Sequence, residues 1–128
     1  MNLSNIISVL GNYNDIPTEI NSEELIVTMI DGLKVTMSAD KMVWADGLLT
    51  YTIVINNQTD LPYTSPVITD ILDTSKVGFV KNSVTIDGVR AEESKYSYEE
   101  KTGTLKINLG DIITSGNTTI TFQVSKKG

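Results

Sequence analysis

Apolar and polar positions alternate along most of this chain, from about residue 33 to residue 125. The clearest run is Leu48 to Asn57. Leu49, Tyr51, Ile53 and Ile55 fall on one side and Thr50 and Thr52 on the other, where Val54 is an apolar intruder. A period of two is that of a strand with one buried face. Leu33 to Ala39 repeats it with Val35, Met37 and Ala39, as do Leu105, Ile107 and Leu109, then Ile120, Phe122 and Val124 within Thr118 to Ser125. Shorter strands are predicted at Val67 to Leu72, Lys76 to Val80, Ser83 to Ile86 and Val89 to Glu92, and where Tyr96 and Tyr98 flank Ser97. Glu24 to Ile30 is apolar on both sides, as a covered strand would be.

Turn chemistry separates these runs. Asp31-Gly32 and Asp87-Gly88 are two-residue hairpin signals, because both residue types tolerate the positive φ of a type I′ turn. Thr102-Gly103 reverses the chain again, Pro62 and Pro66 bracket the approach to Val67, and Asp111 to Asn117 reads as a loop. Roughly eight or nine short strands at this spacing predict an all-β protein, an immunoglobulin-like β-sandwich with an N-terminal extension.

The first 21 residues follow a different rule. Leu3, Ile6, Ile7 and Leu10 fit helical spacing behind Ser4, while Leu3, Ile7 and Val9 also fit a strand broken only at Asn5. Gly11 to Asn21 reads as a linker containing Asn, Asp and Pro17. The pattern divides the chain into an arm, residues 1–21, with an apolar tip and a polar tether, and a sandwich domain, residues 22–128. The tip either frays or folds back on its own domain, or it docks on a neighbouring copy.

A length of 128 residues suits one domain with a real core. The net charge of −6 is concentrated at one end. Asp15, Glu19, Glu23, Glu24 and Asp31 stand in residues 1–33 without a base, whereas the remainder holds the other acids and all ten Lys and Arg. Lys126 and Lys127 make the carboxyl end basic. Without a basic face, nucleic acid is excluded as an expected partner. No run has the length of a membrane span. Met1 to Gly11 lacks the basic start and unbroken apolar run of a signal peptide, so the expectation is either that export does not follow the usual route or that a signal has been removed ahead of Met1, the first being preferred.

The residues needed for most catalysis are missing. Zero His and zero Cys remove Ser-His-Asp and Cys-His sites and the favoured zinc ligands. Asp70 with Asp73 is the available carboxylate pair, but both sit where Asp serves turns. Asp40, Asp46, Asp60, Asp87 and Asp111 lie near strand ends, yet they lack the spacing of a calcium loop and read as turn formers. Lys34 and Lys106 alternate outward and Lys41 ends a strand, which argues against an intramolecular Lys–Asn cross-link. Trp44, beside Met42 and Val43, reads as a core plug or loop anchor, and Tyr96 and Tyr98 as packing over a sheet. We therefore expect no enzyme, no cofactor, no metal site and no small-molecule substrate.

The order of motifs between residues 38 and 124 resembles a known family. Ala39-Asp40-Lys41, Ala45-Asp46-Gly47, Leu49-Thr50-Tyr51-Thr52-Ile53 and Asn56-Asn57 are followed by Val67-Ile68-Thr69-Asp70-Ile71-Leu72. Ser83-Val84-Thr85-Ile86-Asp87-Gly88, Leu109-Gly110-Asp111-Ile112 and Thr119-Ile120-Thr121-Phe122-Gln123-Val124 complete the series. Together they resemble the Ig-like repeat domain of bacterial and archaeal surface proteins, a domain of unknown function. The resemblance implies a structural or adhesive surface module, and members of that family occur as tandem repeats. This chain holds one copy, and its arm and the Glu24 to Ile30 strand lie outside the family pattern. The expectation is a subunit of an extracellular filament, on a cell or spore surface, that multiplies its domain by self-assembly. Leu3, Ile6, Ile7, Val9 and Leu10 of the arm would dock on another copy by strand addition, making a homo-polymer. The alternative is an adhesive or carbohydrate-binding surface module.

Overall fold

The computed structural model describes residues 7–21, 32–40 and 47–126. Eleven strands account for nearly all the regular structure of these residues: β1 (Ile7–Tyr13), β2 (Ile16–Asn21), β3 (Leu33–Ala39), β4 (Leu48–Asn57), β5 (Tyr63–Ile71), β6 (Val77–Phe79), β7 (Thr85–Ile86), β8 (Val89–Arg90), β9 (Tyr96–Glu99), β10 (Thr104–Asn108) and β11 (Gly116–Lys126). A single 3₁₀ turn, Glu93–Lys95, precedes β9. The strands form two antiparallel sheets. One runs β2-β1-β5-β10-β9, and the other runs β3-β4-β11-β7-β8 with β6 also paired to β11.

The alternation read from the sequence decides which side of each strand meets the other sheet. Ile7, Val9, Ile68, Leu105 and Ile107 of the five-stranded sheet share a core with Leu49, Tyr51, Ile53, Ile55, Ile120, Phe122 and Val124 of the other. Each such side chain contributes about 1.5–3 kcal/mol on leaving water. Tyr51 and Phe122, opposite one another on β4 and β11, bring their rings to 5.4 Å. The outer side of the same strands carries Thr50, Thr52, Thr119 and Thr121, and the result is a β-sandwich.

Several boundaries differ from the sequence reading for physical reasons. β5 begins at Tyr63 rather than after Pro66, although β5 is a central strand. A bulge makes this possible. Ser65 takes φ +50° and the β1–β5 register shifts between Leu10 and Asn12, so the proline sits where no ladder donor is required. The strand expected at Glu24 to Ile30 lies outside the described residues, as do Lys41, Trp44 and Asp46.

The arm differs more. Residues 7–13 are strand rather than helix, and residues 11–21, read as a linker, complete β1 and form β2 of a hairpin. Asn14 and Asp15 supply its turn at φ +52° and +60°, the paired left-handed conformation that closes a two-residue hairpin. Thr18 and Ile20 then alternate into the core behind Pro17.

One end of the sandwich is closed by a buried amide. Asn57 is wholly buried at the end of β4. Its Nδ2 donates to the carbonyls of Leu61 and Ile112, each at 2.9 Å, and its Oδ1 accepts from the Thr59 amide at 3.0 Å and the Thr59 hydroxyl at 2.5 Å. The Thr114 hydroxyl donates to the Thr59 carbonyl, adding the β10–β11 loop. Replacing Asn57 by Ala strands these buried partners, so Asn57→Ala is expected to cost about 2–4 kcal/mol. A midpoint shift in urea unfolding at unchanged slope measures it, and a loss below about 0.5 kcal/mol would contradict this role.

Candidate assembly site

Of the arm residues expected to contact another copy, Leu3 and Ile6 lie outside the described residues. Ile7 and Val9 are fully buried, inside their own domain, where β1 pairs with β5 through Ile7–Asp70 and Val9–Ile68. Leu10 points outward and is half exposed. The structure thus places the apolar face of the tip in a seat along the edge of β5, and β2 covers the far side of β1.

Tyr63 organises that seat. It opens β5 and has no solvent exposure, yet it carries a hydroxyl that needs a partner. The hydroxyl donates toward the carbonyl of Thr18 on β2 at 2.7 Å and that of Val9 on β1 at 3.1 Å. One phenol therefore binds both strands of the hairpin. Burial pushes its pKa well above the ordinary tyrosine value. The Gly11 backbone amide, which bonds the phenol, opposes this more weakly, and Glu19 adds to the rise.

The surrounding backbone leaves the ring little freedom. A Cβ on Gly11 would stand 2.8 Å from the Tyr63 ring, closer than carbon atoms approach, so only glycine fits there. Tyr63 also exchanges both backbone hydrogen bonds with Ile112, at 2.9 Å each. Asp111 accepts from the Ser65 amide at 2.9 Å, which holds the bulge. Thr64 donates to the Asn12 carbonyl at 3.2 Å, a further tie between β5 and β1.

The other candidates separate into different places. Asp70 is wholly buried in the middle of the five-stranded sheet, opposite Ile7 and Leu105. Asp73 is solvent-exposed in the following turn, where it accepts from the Ser75 amide at 3.0 Å and the Ser75 hydroxyl at 2.5 Å. That hydroxyl holds its carboxyl below the usual range. The two acids do not share a cleft. Asp40, Asp87 and Asp111 each accept a backbone amide, from Thr50, Thr119 and Ser65, and so act as turn and edge fasteners. Among the described residues no three acids gather as metal ligands. Lys34 and Lys106 are exposed. Tyr96 and Tyr98 are half-buried against Phe79, ring centres 6.1 and 5.0 Å away. Among the described residues no helix is long and apolar enough to cross a membrane.

Sequence reasoning missed Tyr63, Gly11 and Thr18. Tyr63 was hidden between Pro62 and Pro66, and β2 behind Pro17. The one legible signal was Asn14-Asp15 between Tyr13 and Ile16, a turn pair flanked by strand formers.

Tyr63→Phe keeps the ring and removes the donor, so a loss of about 1–2 kcal/mol is expected in urea unfolding. The raised phenol pKa also sets a sign. Stability is full below the unfolded tyrosine value near pH 10 and falls as pH rises beyond it, because only the unfolded chain readily releases that proton. Tyr63→Phe should therefore lose less stability between about pH 10 and 11.5 than the parent, and equal slopes would contradict the assignment.

No family model, no curated protein and no solved structure matches this chain.

Proposed function

We propose that this protein is a non-enzymatic structural subunit, an Ig-like module that polymerises on an extracellular surface by lending its N-terminal hairpin to a neighbouring copy. The observation that carries the reading is the seat around Tyr63. It is lined for a hairpin, with a phenol reaching both strands and buried positions filled by Ile7 and Val9. A hairpin from a second copy would satisfy that seat through the same contacts. Removing it would leave the nine residues of β5 as an open edge beside an apolar trough, which is the feature strand addition repairs.

Chain length permits the exchange. Residues 22–32 join β2 to β3, and at full extension they span roughly 36–40 Å, enough to reach an adjoining domain. Passing the hairpin onward from copy to copy is a head-to-tail contact that does not close on itself, so it makes fibres. Such a subunit needs no cofactor and no substrate. A cell or spore surface is the setting that fits a module resembling surface repeats.

The test compares the full chain with one lacking residues 1–21, by light scattering and negative-stain microscopy. Polymers are expected from the full chain alone, and a synthetic peptide of residues 1–21 should bind the truncated chain and stabilise it thermally. A full chain that remains smaller than a tetramer at its solubility limit would sink the reading.

A further inference from the structure

The opposite edge of the five-stranded sheet is β9, and its sequence has an unused symmetry. Residues 93–101 read Glu-Ser-Lys-Tyr-Ser-Tyr-Glu-Glu-Lys. Reflected about Ser97, Tyr96 exchanges with Tyr98, Lys95 with Glu99, and Glu93 with Lys101. Every aromatic meets an aromatic, and these two bases each meet an acid. That is the pattern required of a strand that pairs antiparallel with itself across a two-fold axis.

The backbone supports the same register. β9 pairs with β10 on one side, and no strand among the described residues pairs with its other side. The Glu99 carbonyl accepts from the Gly103 amide at 2.8 Å, toward β10. Alternation then turns the Ser97 groups toward β10 as well and leaves the N–H and C=O of Tyr96 and Tyr98 facing the free edge. A second β9 centred on Ser97 would take four hydrogen bonds there, two at each Tyr96–Tyr98 pair.

The side chains fit this arrangement on both faces. On the outer face Ser97 and Glu99 are exposed, Lys106 stands opposite Ser97 on β10, and Lys95, exposed at the end of the 3₁₀ turn, directly precedes the strand. A groove of about 440 Å³ runs beside the edge, lined by Phe79, Tyr96, Ser97 and Tyr98 and rimmed by Lys81, Glu93 and Glu100. The edge is short, but it contains no proline, and the charges about it complement rather than repel a second copy.

We infer that β9 is the contact of a symmetric dimer in which the five-stranded sheets of two copies join edge to edge. Ser97 lies on the two-fold axis, Lys95 of each copy faces Glu99 of the other, and the tyrosines of each copy close the groove of its partner. The inference does not rest on the hairpin exchange, which uses the far edge of the sheet.

The full chain tests it in two ways. Ser97→Cys would place two thiols across a non-hydrogen-bonded pair, with Cα atoms about 4.5 Å apart and within disulfide reach. The chain has no other Cys, so mild oxidation should give a covalent dimer, while Asn117→Cys, exposed on the other sheet, should not. In sedimentation, Lys95→Glu replaces two attractive pairs with two repulsive ones and should weaken dimerisation by about tenfold or more. The double change Lys95→Glu with Glu99→Lys restores both pairs and should recover it. Failure of Ser97→Cys to cross-link beyond the Asn117→Cys control overturns the contact, and so does indifference to Lys95→Glu or an unrescued double variant. The cross-link forms whether or not the chain polymerises through its hairpin, so the two readings fail separately.

Discussion

The buried hydroxyl of Tyr63 is the constraint around which one flank of the sandwich is arranged. A phenol with no access to water must find its partners in the protein, and here they are carbonyls on β1 and β2. Satisfying it fixes the ring, and the ring in turn demands glycine at position 11. The same residue forces the bulge at Ser65, since β5 must place Tyr63 inward and still carry Pro66. Hairpin, bulge and the Ile112 loop are therefore one cooperative unit. Its loss would open the five-stranded sheet along the edge of β5.

The sequence made much of this fold legible, and the part it concealed has a common cause. β4, β10 and β11 came through because each buries one face only, so a period of two is written plainly in Leu49, Tyr51, Ile53 and Ile55. β2 was obscured because an edge strand tolerates residues that signal a linker. Pro17 and Glu19 interrupt the pattern without disturbing the inward Thr18 and Ile20. The start of β5 was obscured by Pro66, which normally excludes a central strand and is accepted only at the bulge. Tyr63 could not be identified as an organiser from its position, because its partners are 45 and 54 residues away. Asp40, Asp73, Asp87 and Asp111 were readable, since turn-forming carboxylates act locally on the backbone or across a neighbouring strand, whereas Asp70, read as a turn residue, is buried within β5.

The two edges of the five-stranded sheet are built on different principles. At one, a long strand is covered by a hairpin whose outermost member carries a proline and an acid, both of which discourage further pairing. At the other, β9 is only four residues long, and charges of both signs stand in mirrored order about Ser97, Glu99 in the strand and Lys95 in the 3₁₀ turn before it. A short edge limits indiscriminate pairing, and mirrored charges narrow what remains to a single register and a single orientation. Specificity here comes from the sequence of the strand rather than from its length.

The proposed hairpin exchange would gain from the β9 contact for an energetic reason, although that contact does not depend on the exchange. A hairpin seated in a neighbour makes the same contacts that it makes at home, so exchange gains no interaction energy by itself. The home site moreover enjoys the advantage of a tether, which for a short connector acts as an effective concentration in about the millimolar range. Exchange between isolated subunits is thus disfavoured at ordinary concentrations. Pairing through β9 changes the comparison, because it holds two copies together and adds contacts that exist only between subunits. A chain of exchanged hairpins whose members are also joined in pairs gains those contacts at every second junction. In the proposed assembly the symmetric edge would supply the net energy, and the hairpin would determine how far assembly propagates.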